Sequence, residues 1–315
     1  MKTIIGIDVS KRKLDCLWLR QIEPRKVKSK VFPNTPTGHQ QLLEWTQKQT
    51  GQPLSSLRFV MEATGIYHER LAYHLHEHGS EVAVLNPAQV RDYAKGIAVR
   101  TKTDRKDSLV LAQYGAKESL RLWKPEPAEV RKLKELLSRL EALQGDIQRE
   151  HNRLEKAISG LSHPEVERSI STVLKGLEEE QKRLEAMIDD HINTHPQLKQ
   201  DRQLLESIPG IGPTLSRVMT SVYRSKDFEQ ASQMAAYLGV VPIEQQSGTS
   251  VNKRPRLSKA GSARIRAKLY MPAVVACQYN PTAKALYERL LARGKCKMSA
   301  LCAVMRKLVH LCFGV

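Results

Sequence analysis

The chain opens on an apolar run, Thr3-Ile4-Ile5-Gly6-Ile7-Asp8-Val9, of the length and composition of a buried strand, interrupted by one carboxylate. Leu14 to Leu19 and Lys26 to Phe32 read as two further strands, and the short spacers between the three predict antiparallel hairpins. A helix from about Thr37 to Gln49 follows, then a strand from Leu57 to Met61, a helix from about Tyr67 to His78 and a strand from Glu81 to Leu85. Asn86-Pro87 and the stretch Asp104 to Lys117 open the helical remainder of this region. Three strands followed by alternating helices and strands predict an α/β domain with a mixed sheet, the RNase-H-like arrangement.

From about Pro127 the period lengthens. Leu133, Leu136, Leu140, Leu143, Ile147, Leu154, Ile158 and Leu161 recur mostly at three- or four-residue steps, and a second run carries Ile170, Val173, Leu177, Leu184, Ile188 and Ile192. Gly160 to Pro164 breaks the two, which predicts an antiparallel helical hairpin with arms of roughly 40 to 50 Å. A narrow apolar stripe on charged helices serves packing, spacing or self-association. Beyond Gln200 the chain is helical and punctuated by glycine, with a turn at Pro209-Gly210-Ile211-Gly212-Pro213 and a Gly-, Pro- and Ser-rich stretch at 239–258 read as a loop. Helices at about Ala260 to Gln278, Pro281 to Arg293 and Met298 to Cys312 complete a mostly α C-terminal region.

Charge changes this picture. Lys and Arg outnumber Asp and Glu by 51 to 33, a formal net charge of +18, and from Gln245 onward fourteen cations face a single acid, Glu288. Such a surface repels itself unless a polyanion neutralises it, so nucleic acid is the expected partner. Aromatic residues are only 5% of the chain, which leaves phosphate contacts ahead of base stacking. No apolar run is long enough to span a membrane, and the N-terminus becomes charged too early for a secretion signal, so a cytoplasmic location is expected. The five cysteines form no CxxC pair and read as reduced structural thiols.

Asp8 and Glu62 each end an apolar strand, where an uncompensated carboxylate costs several kcal/mol. Asp104 and Asp107, three apart in a helix's first turn, share a face. Together the four can hold two Mg²⁺ ions at a phosphodiester, although the helix dipole alone also favours acids at the second pair. His68, His74, His76 and His78 read as a solvated helix face. Gly210 and Gly212 resemble the hairpin of helix-hairpin-helix modules, in which backbone approaches phosphate, and a tight turn between helices needs similar glycines. Lys253, Arg254, Arg256 and Lys259, followed by Arg264 and Arg266, are stronger phosphate candidates because no nearby acid in sequence neutralises them. A serine nucleophile toward phosphorus is conceivable among Ser247, Thr249, Ser250 and Ser258, and physics alone does not choose.

These residues resemble the DEDD-type transposases of bacterial insertion-sequence-110 elements, bridge-RNA-guided recombinases, through GIDVSK at 6–11, MEATG at 61–65, NP at 86–87, KTDRKDS at 102–108, SIPGIG at 207–212 and SGTSV followed by LSKAG up to Gly261. The resemblance implies a RuvC-like domain over 1–120, a coiled-coil connector over 121–200 and a transposase domain over 201–315. It implies that Asp8, Glu62, Asp104 and Asp107 bind Mg²⁺ and that Ser247 attacks DNA to form a phosphoserine link. It also implies donor and target DNA as double-stranded partners, a structured bridge RNA that pairs with both, and a homo-oligomer of dimers assembling to a tetramer, with domains of different subunits completing one site. Relatives usually run somewhat beyond the position of Gly314-Val315.

Two rivals share these features. A junction-resolvase-like nuclease would use the same acids to activate water and need no serine, and a non-catalytic nucleic-acid-binding protein would leave the four acids unexplained. Gly6-Ile7-Asp8 also resembles the first phosphate loop of actin-like sugar kinases, but no second Gly-rich phosphate loop follows.

Overall fold

The computed structural model describes residues 2–24, 26–99, 103–247 and 251–315, and of Gln245, Ser247 and residues 251–254 the backbone alone. Two compact units emerge, Met1–Pro125 and Glu126–Val315.

The first unit runs β1 (Thr3–Val9), β2 (Lys13–Gln21), β3 (Lys26–Pro33), α1 (Pro36–Thr50), β4 (Leu57–Glu62), α2 (Glu69–Glu77), β5 (Glu81–Leu85), α3 (Pro87–Gly96) and α4 (Asp104–Lys117). Its sheet has the order β3-β2-β1-β4-β5. The first three strands are antiparallel neighbours, and β4 and β5 run parallel to β1. This is the RNase-H-like arrangement, with the mixed sheet that the strand spacing predicts.

Alternation along β1 sorts the core into two layers. Ile5, Ile7 and Val9 pack with Phe59 and Met61 against Leu42 and Leu43 of α1 and Leu71 and Leu75 of α2. Ile4 packs with Leu17, Leu19, Val60 and Ala83 against Val90 of α3 and Val110, Leu111 and Ala112 of α4. Since side chains alternate with period two, Asp8 shares the α4 side with Ile4, Glu62 with Val60, and Asp15 with Leu17.

The second unit begins with α5 (Ala128–Ser159) and α6 (Pro164–Thr194), whose ends fall at the predicted break. Val130, Leu133 and Leu140 meet Leu184, Ile188 and Ile192, while Leu143 and Ile147 meet Leu174, so the two helices are antiparallel. Helices of 32 and 31 residues reach roughly 48 and 46 Å. The stripe fades toward the tip, where Ile158, Leu161 and Val166 are exposed.

Next come α7 (Pro196–Glu206), α8 (Pro213–Arg224), α9 (Ala231–Tyr237), β6 (Pro242–Ser247), β7 (Val251–Leu257), α10 (Ala263–Tyr279), α11 (Pro281–Ala292) and α12 (Lys297–Gly314). Met219, Met234, Leu269, Val304 and Leu308 form the centre of this core. Asp189 on α6 accepts two hydrogen bonds from Arg217 of α8, at 3.0 and 2.6 Å, and one from Arg202 of α7, pinning the base of the helical hairpin to the helices that follow. The stretch expected as a loop at 239–258 is instead largely an antiparallel hairpin of β6 and β7, from the pair Pro242–Leu257 to the pair Ser247–Val251. No helix among the described residues is long and apolar enough to cross a membrane.

Candidate active site

Helix α4 lies against β1 because both elements lack side-chain bulk where they touch. A Cβ added at Gly6 would come 2.1 Å from the Ser108 carbonyl oxygen and 2.7 Å from the Ala112 amide nitrogen. At the far end of the contact, a Cβ already built onto Gly115 would meet a Val60 methyl at 2.5 Å. The Ser108 hydroxyl adds a polar tie, lying 2.7 Å from the Asp15 carbonyl and 2.8 Å from the Asp104 carbonyl, to either of which its proton can be donated. Thr103 caps α4 by accepting from the Lys106 amide, so Asp104 and Asp107 stand in the first turn, where the helix dipole favours them.

The result is a concentration of carboxylates around Asp8. Burial raises the Asp8 carboxyl to about 6, and the negative charges of Asp107, Asp104, Asp15 and Glu62, in that order, push the same way. Asp15 was not singled out by sequence reasoning. It pairs directly with Asp8 across β1 and β2, and like charges so placed repel. The signal was a carboxylate inside the strand Lys13–Gln21, but its meaning depends on the register.

Lys13 brings a positive charge among these acids. Its ammonium lies 2.5 Å from Asp104 Oδ2 and 3.1 Å from Asp15 Oδ2, and these hydrogen bonds raise its pKa. A cation is thus bridged between the sheet acids and the helix acids. Among the described residues, no three His, Cys, Asp or Glu side chains converge closely enough to hold a metal ion as they stand. The donor set nevertheless fits a hard divalent cation in chemistry, being all carboxylate oxygens, mutually repelling and already bridged by one positive charge.

The other sequence-derived candidates fall differently. His68, His74 and His76 are half-buried and only His78 is exposed, so α2 does not present one solvated histidine face. The reason lies upstream and downstream in the chain: the His74 ring sits 5.7 Å from His39, and the His76 ring 5.9 Å from Trp123. Gly210 has φ of 103°, and a Cβ there would come 2.9 Å from Ala276 Cβ and 3.1 Å from the Pro272 carbonyl, so packing against α10 accounts for this glycine. Gly212, the N-cap of α8, has open space around it.

Among the basic candidates, Arg256 on β7 and Lys259 after it are exposed. Arg264 is not isolated from acids, since Glu141 of α5, distant in sequence, lies 3.8 Å away. Arg266 donates to the Gly261 carbonyl at 2.7 Å and so braces the turn before α10. The side chains of Lys253 and Arg254 lie outside the described residues, as do residues 248–250, including Thr249 and Ser250. Ser247 ends β6, described by its backbone, and Ser258 accepts a hydrogen bond from the Ala260 amide. The carboxylates belong to the first compact unit and Ser247 to the second.

Comparison with known proteins adds to this geometry. Residues 5–163 match a family model described as a DEDD transposase of the IS110 type, and residues 202–288 match one described as the transposase IS116/IS110/IS902 family. The chain is 33% identical over 316 residues to the pilin gene-inverting protein of Moraxella bovis, covering 100% of this chain and 95% of that protein. The pilin gene-inverting protein of Moraxella lacunata matches with the same identity and coverage. An insertion element IS110 protein of Streptomyces coelicolor, uncharacterized and of 43.6 kDa, is 26% identical over 148 residues, 47% of this chain and 35% of its own length. Among solved structures, T. thermophilus RuvC in complex with a Holliday junction substrate aligns with 39% of this chain and 100% of its own, at 14% identity and a TM-score of 0.27.

Proposed function

The chain belongs to the IS110 family of transposases, enzymes that act on DNA, and on that premise we propose that it cuts donor and target DNA and rejoins the strands through a phosphoserine at Ser247. The observation that carries the metal half of this reading is the crowd of acids around Asp8. Five carboxylates gather there, four of them raising the Asp8 carboxyl by their negative charge, and an all-oxygen acidic donor set of this kind suits a hard divalent cation.

In this reading Asp8, Glu62, Asp104 and Asp107 hold Mg²⁺, with Asp15 contributing charge from the neighbouring strand. The ion when bound neutralises charge on the phosphodiester and polarises it. The protein's own part is positional. The contact of α4 with β1 at Gly6 fixes the separation of helix and sheet acids, and the Ser108 hydroxyl of α4, within donating distance of the Asp15 carbonyl, ties that helix to β2. The Ser247 hydroxyl attacks phosphorus, a phosphorus–Oγ bond forms, a bond from phosphorus to one bridging strand oxygen breaks, and the serine proton ends on that oxygen. Reversal by the hydroxyl end of a different strand restores the serine and joins the new pair. The exposed cations Arg256 and Lys259 stand toward the other end of the hairpin from Ser247, suited to contact phosphates several nucleotides from the attacked one.

Three functional parts follow from the same reading: residues 1–120 hold the carboxylate site, 121–200 space it, and 201–315 carry the serine. A structured RNA pairs with donor and target DNA, which suits a chain with 5% aromatic residues and a strongly basic C-terminal region. The protein works as a homo-oligomer, dimers assembling to a tetramer. The experiment is incubation with Mg²⁺, RNA transcribed from the element and labelled DNA spanning its junction, followed by denaturing electrophoresis. A covalent protein–DNA species lost in Ser247→Ala supports the serine route. Cleavage without an adduct, unaffected by Ser247→Ala and lost in Asp8→Ala, makes the protein a metal-dependent nuclease instead.

A further inference from the structure

The C-terminal unit, which carries none of these carboxylates, has a feature of its own. Between the base of the β6–β7 hairpin and helices α11 and α12 is a cleft of about 900 Å³. Leu257, Leu286, Leu290, Met298 and Ala303 give its lining an apolar share, and Arg256, Lys259, Lys295, Arg306 and Lys307 add positive charge. No carboxylate lines it among the described residues. On α12 the lining positions Ser299, Cys302, Ala303, Arg306, Lys307 and His310 recur at helical spacing, small in the first turns and basic further along, so one helix face supplies both the open space and part of the charge.

His310 adds an independent sign of a missing polar partner. Its Nε2 is shielded from solvent and accepts or donates no hydrogen bond, and burial, with Arg306 and Lys307 beside it, lowers the ring's pKa. Such an imidazole is neutral at pH 7 and able to make one hydrogen bond with an uncharged group. Apolar surface, positive charge and a neutral hydrogen-bonding ring match the three parts of a nucleotide: the flat face of a base, its phosphate, and the polar edge of the base. At about 900 Å³ the cleft has room for a nucleotide, and it is open to solvent, as entry of a strand requires.

We propose that this cleft holds an unpaired nucleotide of the DNA strand on which the protein acts. The proposal rests on the reading of the chain as an enzyme that cuts and joins DNA. The hairpin supplies the spacing: Pro242 at the cleft and Ser247 at the far end of β6 are separated by five residue steps, roughly 17 Å at about 3.3 Å each. At about 3.4 Å per nucleotide of a B-form strand this is around five nucleotides. Holding one base out of the stack at that distance would fix which phosphodiester meets the serine. With no Phe, Tyr or Trp in the lining, aliphatic contact replaces stacking, so the phosphate contacts dominate and binding falls with salt.

The test is fluorescence anisotropy of the full chain with a labelled oligothymidylate, a duplex of the same length and an oligouridylate. Ser299→Leu fills part of the cleft from an exposed position without altering charge and without adding a ring on which a base could stack. It is expected to weaken the oligothymidylate about tenfold and to leave the duplex within about twofold. Unchanged affinity for the single strand, or an equal loss on the duplex, overturns the proposal, and a loss confined to the oligouridylate overturns DNA as the occupant. A measurement on the unaltered protein guards against misfolding of the variant: saturating oligothymidylate should slow alkylation of the exposed Cys296, which lines the cleft, and leave Cys277, outside it, unaffected. Equal alkylation of Cys296 with and without the strand also overturns the cleft assignment. Adduct formation in Ser247→Ala bears on the recombinase reading alone, so the two fail separately.

Discussion

Gly6→Ala places one methyl group at the point where α4 rests on β1. Its Cβ would be 2.1 Å from the Ser108 carbonyl oxygen, 2.7 Å from the Ala112 nitrogen and 3.0 Å from the Ala112 Cβ, where an unstrained contact needs at least about 3.4 Å. The first two neighbours are backbone atoms of a helix and cannot rotate aside, so α4 must move outward by about 1 Å. Overpacking of this kind costs about 1–3 kcal/mol, and rigid neighbours put this case near 3. For a unit of this size that lowers the melting temperature by roughly 10 °C. Because the displaced helix carries Asp104 and Asp107 while β1 carries Asp8, a shift of about 1 Å should also reduce DNA cleavage by around 100-fold at temperatures where the unit stays folded. Gly115→Ala is the control. There the intruding Cβ meets methyl groups of Val60 and Ile4, which can repack, so about 1 kcal/mol and little loss of cleavage are expected. Circular-dichroism melts and a junction-cleavage assay on both variants decide the matter, and a Gly6→Ala protein with wild-type melting and wild-type cleavage would falsify the packing argument.

Other perturbations test the electrostatics. Asp8→Asn removes a half-buried carboxyl from among four others, and should stabilise the metal-free protein by about 1 kcal/mol in thermal melts with chelator while abolishing cleavage. Lys13→Gln removes the bridging cation and should lower the melting temperature more in chelator than in Mg²⁺; equal loss in both would count against one cation standing in for another. The His39 ring is 3% exposed, faces Asn34 Oδ1 at 2.7 Å, and is pushed by burial from 6.5 to about 4, with His74 and Arg70 adding to the effect. The unfolded chain therefore binds a proton below 6.5 that the folded chain refuses until about 4, so stability falls as pH drops through that window, by roughly 2 kcal/mol at pH 5. Asp8 works in the opposite direction, so urea titrations should be read as the difference between wild type and His39→Gln, and a difference independent of pH from 7 to about 5 would refute the assignment.

The sheet was legible in the sequence because β1, β4 and β5 are apolar runs with distinct ends, and Asp8 and Glu62 were conspicuous because a carboxylate is costly in such a run. Asp15 was obscured because its role comes from standing opposite Asp8, a fact of register. Likewise the partner of Arg264 is Glu141, and the neighbour of His74 is His39, each brought near by the fold from well outside its own segment. The β6–β7 hairpin resembled a loop for a different reason. Its strands hold Pro242 and Pro255 and few apolar residues, which a two-stranded ribbon tolerates since both strands are edges. Cleft residues were equally hidden, because the lining is assembled from three separate segments.

The most direct test of the central claim is the covalent species formed with labelled junction DNA, the element's RNA and Mg²⁺, compared among wild type, Ser247→Ala and Asp104→Ala. The account predicts an adduct that survives denaturant in the wild type and is absent in both variants, with the folded circular-dichroism spectrum retained. Cleavage that persists in Ser247→Ala, or an adduct that forms undiminished in Asp104→Ala, would contradict it.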